Sequence, residues 1–243
     1  MEFKLPTETI DLPSKGLLYP ADHPLASGTV EMKYMTAKEE DILTNQNYIK
    51  NGTVIDKLLK SLIVTEFNYG DLLVGDKNAI MIAARILSYG KDYPVYYNGE
   101  QVSVDLSAVE PKQVDAEYTR GVNEFKFKLP TSGHEVTFKI LTHKDELSIG
   151  QEVMGLQKIN KENVAEVTTR LKHIITSING SRELADIRQF VDYGLLAKDA
   201  RALREEYSKV SPDLDLTFKY THTNGEEEVV DIPIGVTFFW PDA

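Results

Sequence analysis

Apolar residues along this chain change their spacing in blocks, and that alternation constrains the fold more than any single motif. From about 36 to 90 they recur at helical spacing. From 91 to 142 they alternate with period two. The helical spacing returns from 143 to 210, and the alternation returns from 214 to 240. A period of 3.6 turns one face of a helix toward a core, and a period of two does the same for a strand. Helices and strands segregated in blocks argue for an α+β fold over a doubly wound parallel sheet. The expected architecture is helical bundle segments with interspersed antiparallel β-hairpin ribbons.

Local signals place the elements. Ile10 to Pro20 is broken by Pro and Gly and reads as loop, whereas Val30, Met32 and Tyr34 share one face of a strand. Residues 1–35 are therefore expected to form an extended N-terminal arm and strand. Thr36-Ala37-Lys38-Glu39 has the form of a capping box, starting a helix expected to reach about Tyr48. Asn51-Gly52 ends it. Thr53 is placed to cap a second helix carrying Val54, Leu58, Leu59 and Leu62. Asp76 is placed to cap a third carrying Ile80, Ala83, Ala84 and Leu87, closed by Gly90. Asn98-Gly99 is a hairpin-turn signal between Tyr93–Tyr97 and Val102–Leu106. Phe125, Phe127 and Leu129 alternate before Ser132-Gly133, and Val136, Phe138 and Ile140 alternate after it, a second hairpin.

Thr142 with Asp145 is placed to cap the next helix. Val164, Val167, Leu171, Ile174, Ile175 and Ile178 then make one stripe of near-heptad spacing. Ser181 precedes a helix carrying Leu184, Ile187, Phe190 and Val191, and a last helix from Ala197 to Val210 buries Ala200, Leu203 and Tyr207. Residues 214–240 read as a third ribbon turning at Asn224-Gly225. The expected parts are 1–35, 36–142 (helices plus ribbons) and 143–243 (helices plus a C-terminal ribbon). No sequence repeat stands out, although the ribbon-after-helices theme occurs twice.

Composition narrows the chemistry. With no cysteine among 243 residues, disulfides, thiolate metal sites and cysteine nucleophiles are excluded. The net charge of −11 disfavours binding to phosphate backbones. Met1 to Pro6 lacks the basic start and apolar run of a signal peptide, and no apolar run is long enough to span a membrane. The five histidines His23, His134, His143, His173 and His222 show no metal-ligand spacing, and there is no phosphate-cradling glycine motif. No cofactor and no catalytic residue is expected. Ser181 to Tyr207 has the outline of a helix-turn-helix with Arg182, Arg188, Lys198, Arg201 and Arg204, but Glu183, Asp186, Asp192, Asp199, Glu205 and Glu206 cancel that charge.

Two segments are candidates for partner contact. The first is the arm, with Leu12, Lys15, Leu17 and Tyr19. The second is Phe238, Phe239 and Trp240 near the end of the sequence. Large aromatics there either fold back on their own core or anchor in a partner.

Several segments in order resemble the baseplate hub and hub-assembly proteins of T-even-like contractile-tailed bacteriophages. They are Leu12-Pro13-Ser14-Lys15-Gly16-Leu17-Leu18-Tyr19, Met35-Thr36-Ala37-Lys38-Glu39-Glu40-Asp41-Ile42-Leu43, Gly52-Thr53-Val54-Ile55-Asp56-Lys57-Leu58-Leu59, Asp71-Leu72-Leu73-Val74-Gly75-Asp76, Ala84-Arg85-Ile86-Leu87-Ser88-Tyr89-Gly90 and Phe238-Phe239-Trp240-Pro241. The resemblance implies a structural component of the tail baseplate, made in the host cytoplasm and carried in the virion. Its partners would be other tail proteins, in a symmetric multi-copy arrangement. The alternative it leaves open is an assembly chaperone absent from the mature virion. Relatives place CxxC knuckles in the two ribbon regions. This chain has none, so its zinc-ribbon-like hairpins are expected to hold without metal through Tyr93, Tyr96, Phe218 and Tyr220. An enzyme, such as a tail-borne cell-wall hydrolase, and a DNA-binding module are the competing classes.

Overall fold

A computed structural model describes residues 5–114, 117–159, 165–222 and 225–239. β1 (Thr7–Asp11) pairs antiparallel with β2 (Thr29–Lys33). The helices α1 (Ala37–Leu43), α2 (Gln46–Lys50), α3 (Val54–Leu62) and α4 (Val74–Tyr89) follow. β3 (Asp92–Tyr97) and β4 (Glu100–Asp105) form a hairpin about Asn98 and Gly99, both at positive φ. β5 (Phe125–Lys128) and β6 (Glu135–Phe138) form the next hairpin. After α5 (His143–Ile159) and α6 (Glu166–Ile174), β7 (Ile175–Ile178) adds to β6 as a third strand. Then come α7 (Leu184–Gln189), a π turn (Phe190–Gly194), α8 (Ala197–Val210), and a hairpin of β8 (Thr217–Thr221) with β9 (Glu227–Asp231). The fold is α+β, with small antiparallel sheets between helices.

The capping boxes form as expected. The Glu39 carboxylate accepts from the Thr36 amide at 3.0 Å and hydroxyl at 2.6 Å, and the Asp145 carboxylate accepts from the same groups of Thr142 at 3.0 and 2.9 Å. Val54, Leu58, Leu59 and Leu62 are all buried.

Other expectations need correction. The helix drawn to Tyr48 is two helices, because Asn45 stops α1 and accepts the amides of Asn47 and Tyr48 to start α2. Thr53 makes no side-chain cap to α3. Asp76 is the third residue of α4 and does not cap it; its carboxylate turns away to the N-terminal arm. The stripe from Val164 to Ile178 is not one helix. Its Ile175 and Ile178 lie in β7, since β-branched residues satisfy the open edge of β6. Val167 and Leu184 face solvent, and Val164 lies outside the described residues. α7 begins at Leu184 rather than directly after Ser181. Tyr96 is exposed. The aromatic contact between the ribbons is made instead by Tyr97, whose ring meets Phe218 and Tyr220.

The second half repeats the first. Each half runs hairpin, helices, a strand-like return onto the hairpin, a long helix, then a ribbon. The return is an isolated bridge from Met32 to Ile63 in the first half and β7 on β6 in the second. Side chains repeat with it. Leu12-Pro13-Ser14-Lys15-Gly16 corresponds to Leu129-Pro130-Thr131-Ser132-Gly133. Lys33, Thr36 and Glu39 correspond to Lys139, Thr142 and Asp145. Leu72-Leu73 with Asp76 corresponds to Leu195-Leu196 with Asp199. Buried apolar residues from both halves form one cluster, and the β5–β6–β7 sheet joins residues on either side of position 142.

Glu39 is fully buried. Burial raises its pKa, but hydrogen bonds from Thr36, Lys33 and Ser61 outweigh that and hold it down to about 2 from 4.5. A carboxylate with a depressed folded pKa stabilises the fold at pH above 4.5, and that contribution is lost as pH falls toward 2. Urea unfolding midpoints are expected to drop between about pH 7 and about pH 3. Glu39→Gln should lower the midpoint at neutral pH and flatten the acid dependence. An unchanged acid dependence in that variant would assign it to other carboxylates. Separately, Phe138→Ala, which empties a fully buried site in β6, should cost about 3–5 kcal/mol by denaturant titration.

Candidate interaction site

The two buried aspartates organise the polar interior. Asp76 Oδ1 accepts the Ser14 amide at 2.9 Å, and Oδ2 accepts the Ser14 and Tyr19 hydroxyls, each at 2.7 Å. The Tyr19 oxygen in turn accepts the Leu73 amide at 3.0 Å. The arm is thus locked onto the start of α4. Gly16 permits the lock: its φ is +72°, and a Cβ there would collide with the backbone of Leu25 and Ala26. Asp199 makes the matching contact in the second half, accepting the Thr131 amide at 2.7 Å and the Ser132 amide at 3.0 Å. Burial pushes the Asp76 pKa up more than its donors pull it down. At Asp199 burial also raises the pKa, but hydrogen bonds from Thr131 and Ser132 together outweigh it and hold the pKa low.

A second cluster sits at the seam between the halves. Lys77 Nζ lies 2.6 Å from Asp56 Oδ1, and His143 Nε2 lies 3.5 Å from Asp56 Oδ2. The Tyr69 hydroxyl donates to Asp56 at 3.2 Å, and the Tyr69 and His143 rings meet edge to face at 4.7 Å. Burial and the Lys77 charge lower the His143 pKa, so its neutral form is favoured. These groups occupy one another and join α3, α4 and α5. Three of the five basic residues of the helix-turn-helix outline are also engaged: Arg182 with Glu124, Arg188 with Glu152, and Arg201 with Glu205. Among the described residues no group of three His, Asp or Glu side chains could hold a metal ion. No helix among them is long and apolar enough to cross a membrane.

The structure places the expected contact residues as follows. Leu12 and Tyr19 are buried in the chain's own core, Leu17 is half-buried, and Lys15 is exposed at the tip of the turn. Phe238 and Phe239 are wholly buried, and Trp240 lies outside the described residues. Phe238 packs edge to face on Tyr93 at 4.9 Å. Its carbonyl accepts Arg85 Nε at 3.0 Å, and the buried guanidinium lies against the Tyr89 and Tyr93 rings. The arm and the aromatic pair are therefore spent largely on the chain itself. The exposed apolar side chains lie elsewhere, most of them on α5 to α8, including Met154, Ile159, Val167, Leu184, Tyr193 and Leu196. Helical spacing puts Val167 and Leu184 on apolar stripes, yet both are exposed. Their true exposure depends on what packs over each helix, which spacing does not encode.

The arrangement, with its clustered ionisable side chains paired to one another inside the fold, is that of a structural protein. The model of the T4 bacteriophage base plate protein family matches residues 7–240, and the chain belongs to that family. No curated protein and no solved structure matches. Membership makes it a phage baseplate structural protein whose partners are other baseplate and tail proteins.

Asp76→Ala would leave the Ser14 hydroxyl, the Ser14 amide and the Tyr19 hydroxyl buried without their acceptor. The expected cost is on the order of 3 kcal/mol, with cleavage appearing at Lys15 under limited trypsin digestion. Retained protection at Lys15 would show that apolar packing alone holds the arm.

Proposed function

We propose that this chain is a permanent structural component of the hub region of a phage tail baseplate, acting through protein–protein interfaces and not by catalysis. The observation that carries the reading is the family match over residues 7–240. The structure supports it in two ways. The His143–Asp56–Lys77 cluster of titratable side chains is committed to the seam between the halves. Most of the exposed large apolar side chains among the described residues fall between the start of α5 and the start of α8, where they are available to a partner. The hub position itself rests on the resemblance of the ordered segments from Leu12 to Pro241.

In this reading Lys15, at the exposed tip of a rigid turn, and half-buried Leu17 remain contact residues of the arm. Leu12, Tyr19, Phe238 and Phe239 act behind the surface, holding the arm and the tail in place.

Quantitative mass spectrometry of purified mature virions tests the reading. A fixed copy number per particle is the expected result. Absence from virions, with abundance in infected-cell lysate, would replace it with the assembly-chaperone reading. A cell-wall lysis assay with purified protein is expected to be negative, and activity there would overturn the non-catalytic part.

A further inference from the structure

The repeat exposes a difference between the halves. In the first half, Leu72–Val74 is covered by the start of the second half. Leu73 and Thr142 form an antiparallel bridge, the His143 amide donates to the Leu72 carbonyl at 2.8 Å, and the Val74 amide donates to the Leu141 carbonyl at 3.2 Å. The His143 ring closes over Tyr69, whose relative exposure is 8%, and Leu73 is 2% exposed. The corresponding segment of the second half is Leu195–Ala197, which Tyr193-Gly194 directly precedes, one residue nearer than Tyr69-Gly70 stands to Leu72. Nothing among the described residues bridges to it. Tyr193 is 88% exposed and Leu196 is 48% exposed, beside an open cleft of about 400 Å³ lined by His134, Asn179, Phe190 and Gly194.

The first half also has an unused counterpart. Met35, Thr36 and Ala37 correspond to Leu141, Thr142 and His143. Ala37 is exposed, and its amide, at the first position of α1, has no partner among the described residues. One chain thus carries an open acceptor surface at one end of its repeat and an open donor edge at the other.

We propose that a second copy of this chain docks Met35–Ala37 onto Leu195–Ala197, so that copies join head to tail through the same seam that joins the two halves internally. The Ala37 amide would donate to the Leu195 carbonyl, and the Ala197 amide to the Met35 carbonyl. The charges agree with this occupant. In the internal seam Asp56 is paired with Lys77 and faces neutral His143; the corresponding positions of the proposed seam are Thr168, Ala200 and Ala37, none of them charged, so no charge is left unpaired. The contact is heterologous, so it closes a ring or extends a filament. It rests on the internal repeat alone and stands whether or not the hub reading does.

Sedimentation velocity over a concentration series of the purified full chain tests this. Two substitutions each disable one surface without disturbing the fold. Ala37→Pro deletes the donated hydrogen bond at a helix position that suits proline, after a Thr36 already in extended conformation. Leu196→Asp removes the apolar contact while placing a favoured residue at the N-cap of α8. Circular dichroism confirms each fold, with Tyr193→Asp replacing Leu196→Asp if the latter fails. The wild type is expected to associate with increasing concentration. Each variant alone should stay monomeric, its association weakened about tenfold or more. An equimolar mixture of the two should form dimers and nothing larger, since it retains one intact seam. A wild type that is monomeric at its highest attainable concentration, or that assembles equally well with either substitution, would overturn the proposal. Either result would leave the cleft beside Tyr193 to a different baseplate protein.

Discussion

Each half depends on a carboxylate at the third position of its long helix. Asp76 and Asp199 both lie where the unsatisfied amides of a helix start favour negative charge, yet neither spends itself on its own helix. Each reaches out to the turn of the hairpin that opened its half. That turn has the form Leu-Pro-(Ser or Thr)-x-Gly in both halves, because it must offer donors on one side and bend sharply on the other. The carboxylate supplies the main polar contact between a strand turn and a helix distant in sequence. With it, hairpin and helix are held at a fixed separation and the intervening helices fill the space.

The same geometry explains why this family member presents surfaces and keeps its reactive-looking groups inside. His143, Asp56 and Lys77 resemble a proton-transfer set, but Lys77 pairs with Asp56 and neutral His143 packs beside them at the seam. The acidic surplus of the chain lies largely on solvated faces, where it limits unspecific association. The burial of Phe238 and Phe239 under Arg85 shows how far the interior extends, since residues near the end of the sequence complete the core begun by α4.

The sequence by itself determined most of the elements. Capping boxes at Thr36 and Thr142, the Asn98-Gly99 turn and the stripe on α3 were all legible, because they depend on contacts within a few residues. It also carried the family resemblance. What it left undecided were contacts between distant segments. Ile175 and Ile178 fit a helical stripe as well as a strand, and only the open edge of β6 selects the strand. Asp76 has the right position to cap, and only the proximity of Ser14 and Tyr19 draws it away. The repeat was invisible along the chain because insertions differ between the halves, and it becomes plain once Asp76 and Asp199 are seen gripping equivalent turns. Whether an aromatic is core or surface was likewise a tertiary decision. Phe238 and Tyr193 are both large aromatics, but among the described residues one lies beside Arg85 and Tyr93 and the other is left exposed, because burial depends on what packs over a side chain.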